Sequence, residues 1–307
     1  MTWFRRIFFF LALNIAVVMM LTLVTSLLGI GPTVTANGMN YGSLIAFCLV
    51  WGMGGAFISL LISKPMAKWT MGVQIIDPNT MDMNARALVS TVHRLATAAG
   101  ISRMPEVGIY DSPEVNAFAT GATKNRSLVA VSSGLLQRMD KASVEGVLGH
   151  EVAHIANGDM VTMTLLQGVV NAFVMALARI IAFAINNLLK SDDRGGGLGQ
   201  LGYMFTVIAL QMVLFIPGSM IIAAFSRYRE YRADQGGARL AGRPQMVNAL
   251  RSLQAVSALN QSSEIQQAPA YASMKIASTK ASKFTELFST HPPLELRIAA
   301  LERGDRH

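Results

Sequence analysis

Gly149-His150-Glu151-Val152-Ala153-His154-Ile155-Ala156-Asn157-Gly158-Asp159 contains the pattern H-E-x-x-H, and the nature of the surrounding domain turns on it. At about 3.6 residues per turn, positions 150 and 154 fall one turn apart on the same helix face. Two imidazoles can then close on one zinc ion while Glu151 points beside it toward a water, the arrangement a zinc peptidase needs. The flanks predict a packed helix. Asp140 or Ser143 can cap its start, Glu145 puts a carboxylate in the first turn, and Val144, Val147, Leu148, Val152 and Ile155 recur at helical spacing. Gly146 and Gly149 leave room for another element to approach, and Asn157-Gly158 is a natural bend.

Two histidines do not complete a catalytic zinc site, which takes a third protein ligand and keeps one position open. A further histidine at position 160 would extend the motif, but Met160 stands there, so the ligand comes from elsewhere. Glu230 in Glu230-Tyr231-Arg232-Ala233-Asp234 is the candidate. It can bind the one zinc of the chain while Asp234, a helical turn on, accepts a hydrogen bond from a ligand imidazole and fixes its tautomer.

Composition demands a membrane. Hydrophobic residues make up 52% and charged residues 14%, and neither a charge nor a histidine occurs between Ile7 and Ser63. The Gly-, Pro-, Thr- and Asn-containing stretch 29–42 divides this region into spans of roughly 7–28 and 43–63, each long enough to cross a bilayer. Arg5-Arg6 would suit a signal peptide, but the apolar region is too long for an ordinary one and is expected to stay. Two more apolar stretches, 161–189 and 201–225, flank a flexible polar loop from Lys190 to Gly197 and either span or form an embedded hairpin. Within them Pro217 is tolerable in a membrane helix, and Arg179 is expected to reach toward the far interface.

Arg5, Arg6, Lys64, Lys68, Arg227, Arg229 and Arg232 lie on one side of a four-span arrangement, which places both termini and the H-E-x-x-H segment in the cytoplasm. The net charge of +8 then reads as anchoring at anionic lipid and not as nucleic-acid binding, since the basic residues are scattered and carry no nucleic-acid motif. The single cysteine, Cys48, lies in an apolar span and excludes a disulfide framework. The nineteen methionines are spread through apolar segments as filler.

The resulting organisation is an N-terminal transmembrane hairpin at 1–64, a first peptidase segment with the zinc helix at 65–159, a second hydrophobic hairpin at 160–225 and a closing peptidase segment at 226–307. The polar part reads as α+β. Asn84 to Ala99 has helical periodicity, and Val107 to Tyr110, Val115 to Thr120 and Ser127 to Ser132 are short strand-like runs. His93 is expected to be an ordinary histidine. Residues 244–258 read as an amphipathic helix, Gln261 to Ser282 as a mobile loop or lid, and Leu294 to Arg303 as a helix.

The pair His150 and His154, the following Asn157-Gly158-Asp159, Glu230 with Asp234, Asn116-Ala117-Phe118-Ala119-Thr120-Gly121 and His291-Pro292-Pro293 together resemble the M48 family of zinc endopeptidases, nearly end to end. The resemblance implies an α-helical membrane protein carrying a zincin-like, gluzincin domain, with about four transmembrane helices. It implies Glu151 as the water-activating base, His150, His154 and Glu230 as zinc ligands, and Asn116, Ala117 and Phe118 as a substrate-binding edge strand. His291, with Arg297 following, matches a family motif near the metal. It serves as oxyanion donor, as switchable ligand, or as part of a structural Pro turn. The resemblance further implies a bacterial inner-membrane, multi-pass enzyme acting on misfolded or damaged membrane proteins as part of a stress response; self-cleavage in detergent is expected separately, because neighbouring copies carry the same loose Gln261 to Ser282 segment.

Two rivals are a zinc-stabilised membrane scaffold or transporter and an intramembrane protease. A structural site is closed by a fourth protein ligand and leaves Glu151 without a task. An intramembrane site would place the histidines inside an apolar span, whereas here they precede one, after Arg138-Met139-Asp140-Lys141.

Overall fold

A computed structural model describes residues 19–30, 34–35, 38–190, 197–267 and 287–304. The chain divides into two compact units, one drawn from Met1–Leu60 and Met163–Ile222, the other from Leu61–Thr162 and Ala223–His307.

The first unit is helical. Residues 19–27 form α1; a two-stranded antiparallel ribbon, β1 (Val34–Thr35) with β2 (Gly38–Met39), leads into α2 (Tyr41–Thr70). The other helices entering it are α6 (Asp159–Lys190) and α7 (Gly199–Leu240), the latter continuing through Pro217. α2, α6 and α7 carry apolar windows of mean hydropathy 2.2, 2.1 and 2.2, yet only 17%, 33% and 17% of those windows are buried within the protein. Apolar side chains such as Phe173, Phe205, Met212 and Val213 instead point outward, as lipid-facing helices require and a water-soluble core forbids. Three helices among the described residues are thus long and apolar enough to span. The first expected span, 7–28, falls for the most part on residues 1–18, outside the described residues, as does most of the expected loop from Lys190 to Gly197. α2 and α6 approach closely because Gly52 lacks a side chain: a Cβ there would sit 2.6 Å from the Cα of Ala172. Arg179 has two partners within its unit. Its guanidinium lies 4.9 Å from the centre of the Phe47 ring and donates to the Met175 carbonyl one turn back.

The second unit is α+β. Its sheet has the order β3 (Gln74–Ile75), β4 (Glu106–Tyr110), β6 (Ser127–Ser132), β5 (Ala117–Gly121). β4 and β6 run parallel, while β3 and β5 are antiparallel to their neighbours, so β5 forms one edge. β6 is buried along its whole length because both faces are covered. Val129 and Val131 join Leu88, Val92 and Leu95 of α3 (Met83–Ala98) and Leu148, Val152 and Ile155 of α5 (Lys141–Asn157). Leu128 and Ala130 face the other way, onto Val73 and Tyr110. α8 (Arg243–Gln267) lies along α5, and α9 (Leu294–Arg303) packs on α8 through Leu250, Met246, Ile298 and Leu301.

Three departures from the sequence reading have local causes. β3 is only two residues long and is held by pairing with β4, a partner over thirty residues away. Ser132 ends β6 and caps a further short helix, α4 (Ser133–Arg138), accepting from the Leu135 N–H at 3.0 Å. α8 runs on to Gln267, so the expected loop does not begin at Gln261; Gln, Ser and Glu in this stretch carry no helix breaker. Residues 268–282 of that loop lie outside the described residues.

Candidate active site

α5 carries the H-E-x-x-H segment and is fixed at both ends. Of the two possible caps, Asp140 is the one used, accepting from the Ser143 N–H at 2.7 Å, while Ser143 is buried against the Ser252 hydroxyl at 3.1 Å. At the other end Gly158 adopts φ 73°, a left-handed conformation that a residue with a Cβ resists, and its N–H closes on the His154 and Ile155 carbonyls. Gly146 allows the close approach of α8: a side chain there would collide with the Gln245 carbonyl. The helix is thereby clamped with His150 and His154 turned inward, both buried.

Glu230 and Asp234 lie one turn apart on α7 and are almost fully buried, at 1% exposure each. Glu230 meets both histidines, with Oε2 3.4 Å from His150 Nε2 and Oε1 3.3 Å from His154 Nε2. The two Nε2 atoms are 3.1 Å apart. Asp234 Oδ1 is 3.0 Å from His150 Nδ1, and Asp159 Oδ2 is 2.6 Å from His154 Nδ1. Each imidazole therefore donates its Nδ1 proton to a carboxylate and turns Nε2 toward its partner and Glu230. Two neutral Nε2 lone pairs at that separation repel unless a proton or a cation lies between them. One donor atom from each of His150, His154 and Glu230 falls within 4.8 Å of the others, so the donor set fits a metal ion.

Arg297 on α9 grips Asp234 with two bonds, Nε to Oδ2 at 2.8 Å and Nη2 to Oδ1 at 2.6 Å, and its Nη1 lies 3.5 Å from Glu230. Arg229 donates to Glu230 at 3.2 Å, and His291 Nδ1 approaches the same carboxylate at 2.9 Å while its ring stays largely exposed. Charge follows from these contacts. Burial alone would lower the His150 pKa, but Asp234 and Glu230 outweigh it and raise the imidazolium to about 9. Burial would likewise raise the Glu230 carboxyl, yet His150, His154 and His291 hold it well below the usual carboxylate range. For Asp234, Arg297 and His150 overcome burial in the same direction. The network is built to hold a positive charge at its centre.

Glu151 is half-buried, and with His150, Glu230, His291 and Arg297 it lines a cleft of about 180 Å3. Val115, Asn116 and Ala117, at the start of the edge strand β5, form another part of that lining; Phe118 turns away onto Tyr110 with ring centres 5.7 Å apart. Tertiary structure thus brings together nine of the expected site residues, from Asn116 to Arg297, and leaves Phe118 on the far face. His93 is remote in role, its Nε2 3.1 Å from the Pro105 carbonyl. Two contributors were given no site role from sequence, although Asp159 stands in the segment that carries the family resemblance. Asp159 stands five residues after His154, a spacing that brings side chains together only once Gly158 has turned the chain. Arg229 is hidden among neighbouring arginines. The one available signal was a carboxylate immediately after a helix-ending glycine.

Comparison with known proteins agrees with this geometry. A family model described as Peptidase family M48 matches residues 82–304. A protein of Paracidovorax citrulli named Protease HtpX homolog is 51% identical over 301 residues, covering 98% of this chain and 99% of its own length. One of the same name from Bacillus licheniformis is 50% identical over 305 residues, covering 97% and 99%. Among solved structures, the S. mikatae Ste24p crystal structure superposes with a TM-score of 0.61 at 15% identity. It covers 94% of this chain, which in turn spans 62% of that one, a likeness of fold alone. A match over most of the chain, with relatives half-identical from end to end, places the protein in peptidase family M48, the metalloprotease family to which its histidine pair and buried glutamate pointed.

Proposed function

We propose that the protein is a zinc-dependent endopeptidase anchored by several helices in a bacterial inner membrane, cutting misfolded or damaged membrane proteins on the cytoplasmic side. The observation that carries this reading is the cleft in which His150, His154 and Glu230 converge beside Glu151 and the start of edge strand β5. The names of the relatives support proteolysis, and the outward-facing apolar helices support a membrane setting.

His150, His154 and Glu230 would hold the zinc, which when bound would supply Lewis acidity toward the scissile carbonyl and the attacking water. Glu151 takes the proton of that water and returns it to the departing amine nitrogen. Asp234 and Asp159 keep both ligand imidazoles in the Nδ1–H tautomer, and Arg297 keeps Asp234 ionised and aligned. The open edge of β5, beginning at Ala117, offers backbone groups that an extended substrate completes as an added strand, whereas the Asn116 N–H and C=O are already bonded to the Ser132 hydroxyl and N–H. His291, exposed at the cleft, is the proposed donor to the developing oxyanion, a reading supported by its position in the cleft lining.

Three protein donors among the described residues, with a glutamate beside them, favour this reading over a closed structural site. The test is Glu151→Gln. It is expected to keep bound zinc and fold while losing casein cleavage by several orders of magnitude; an active variant overturns the assignment. Self-cleavage during detergent purification is expected to disappear in the same variant and with chelator.

A further inference from the structure

The helical unit contains a groove of about 480 Å3 lined by Trp51 of α2, Asn171 and Met175 of α6, and Gln211, Met212 and Phe215 of α7. Three of these side chains are polar, and each falls near the middle of its apolar run, 43–63, 161–189 or 201–225. The Trp51 indole N–H is buried and has no hydrogen-bond partner among the described residues. Its ring is held in place by stacking on Phe47, centres 5.6 Å apart, and Asn171 lines the same groove from α6, where Gly52 lets α2 cross close to Ala172. The groove opens outward, with Met212 at 71% and Phe215 at 41% exposure on its rim.

A buried donor left without an acceptor is destabilising, and polar side chains at mid-membrane depth are costly enough to mark functional sites. Lipid supplies no partner there. Its ester carbonyls and head groups lie at the interfaces, about 15 Å from the bilayer centre, and its tails carry no acceptor. A polypeptide does supply one, either as a polar side chain in a transmembrane helix or as a carbonyl freed where such a helix is broken. We infer that this groove binds the transmembrane segment of a substrate, selecting segments that carry a hydrogen-bonding group at mid-span. Such a group, left unpaired, is the chemical mark of a membrane protein that has failed to assemble. The inference rests on the proposed peptidase function and assigns to it a recognition site separate from the cleft that cuts.

The test uses full-length enzyme in proteoliposomes and two single-span test proteins with identical cytoplasmic tails, one with an all-Leu span and the other with a single central Asn. The parent is expected to cut the Asn-bearing protein about tenfold faster, the scale of one or two interhelical hydrogen bonds. Asn171→Leu combined with Gln211→Leu is expected to erase that preference while casein cleavage in detergent stays at the parent level. Trp51→Phe, which removes only the donor, is expected to reduce the preference, and it decides the matter if the double variant loses casein cleavage through misfolding. Equal cutting of the two test proteins by the parent, or an undiminished preference in Trp51→Phe, overturns the inference. A parent that cuts neither casein nor either membrane protein instead overturns the peptidase reading beneath it.

Discussion

Asp159 accepts the Nδ1 proton of His154 across 2.6 Å although the two residues belong to different helices, joined by the left-handed Gly158. The contact fixes which imidazole nitrogen faces the donor cluster. Asp159→Asn is expected to weaken zinc binding about 10–100-fold without removing a ligand, because an amide no longer enforces the tautomer. Competition with a fluorescent chelator measures it; unchanged affinity would show that the bond is incidental.

Removing a donor has a different signature. His150→Ala, His154→Ala and Glu230→Ala are each expected to abolish both metal content and proteolysis, whereas Asp234→Ala weakens both more mildly, about 10–100-fold. Metal analysis of purified variants separates the classes. A Glu230→Ala protein that holds zinc as tightly as the parent identifies a different third donor.

The metal-free protein carries its central positive charge as a proton. His150, raised from 6.5 to about 9, contributes stability that is fully present below 6.5 and is lost as pH rises through about 9. Glu230 and Asp234, both depressed, contribute stability that is present above their ordinary pKa values and fades in acid as pH falls through their folded ones. Zinc must displace the His150 proton, so binding near pH 7 is expected to release about one proton per ion, with affinity rising up to about tenfold per pH unit toward 9. Calorimetry in buffers of different ionisation enthalpy counts that proton, and a count of zero contradicts the coupling.

Reporters fused at residue 75 or at the C-terminus are expected to remain cytoplasmic and one inserted near Gly38 to be exported, since that arrangement keeps the basic flanks inside. Export of residue 75 refutes it. An insertion near Gly196 tests the second apolar pair: export means that both helices cross, retention that they form an embedded hairpin.

How much of this was legible beforehand follows from how local each signal is. His150 and His154 share one helix face by spacing alone, and Glu230 followed from the count of ligands a zinc peptidase needs. The caps and glycines of α5 were also readable, because each acts within a few residues. β3 was not, being two residues held by a distant partner, and α4 was not, because Ser132 serves both strand and cap. The five-residue reach from His154 to Asp159 depends on a turn, so no helical periodicity announces it. Phe118 shows the converse limit. Side chains alternate along a strand, and naming the strand did not say which of Ala117 and Phe118 would face the cleft, while Asn116 lines it from just before the strand begins.

Glu230 and Asp234 stand on α7, downstream of the apolar residues 163–222, while His150 and His154 stand upstream of them. A ribosome therefore delivers the donors in two instalments, with a pair of hydrophobic helices emerging in between. On the proposed assignment, until the second instalment has been made the nascent chain holds two of its three metal donors, and it is expected to be inactive. Latency of this kind needs no propeptide or inhibitor, because the order of translation supplies it.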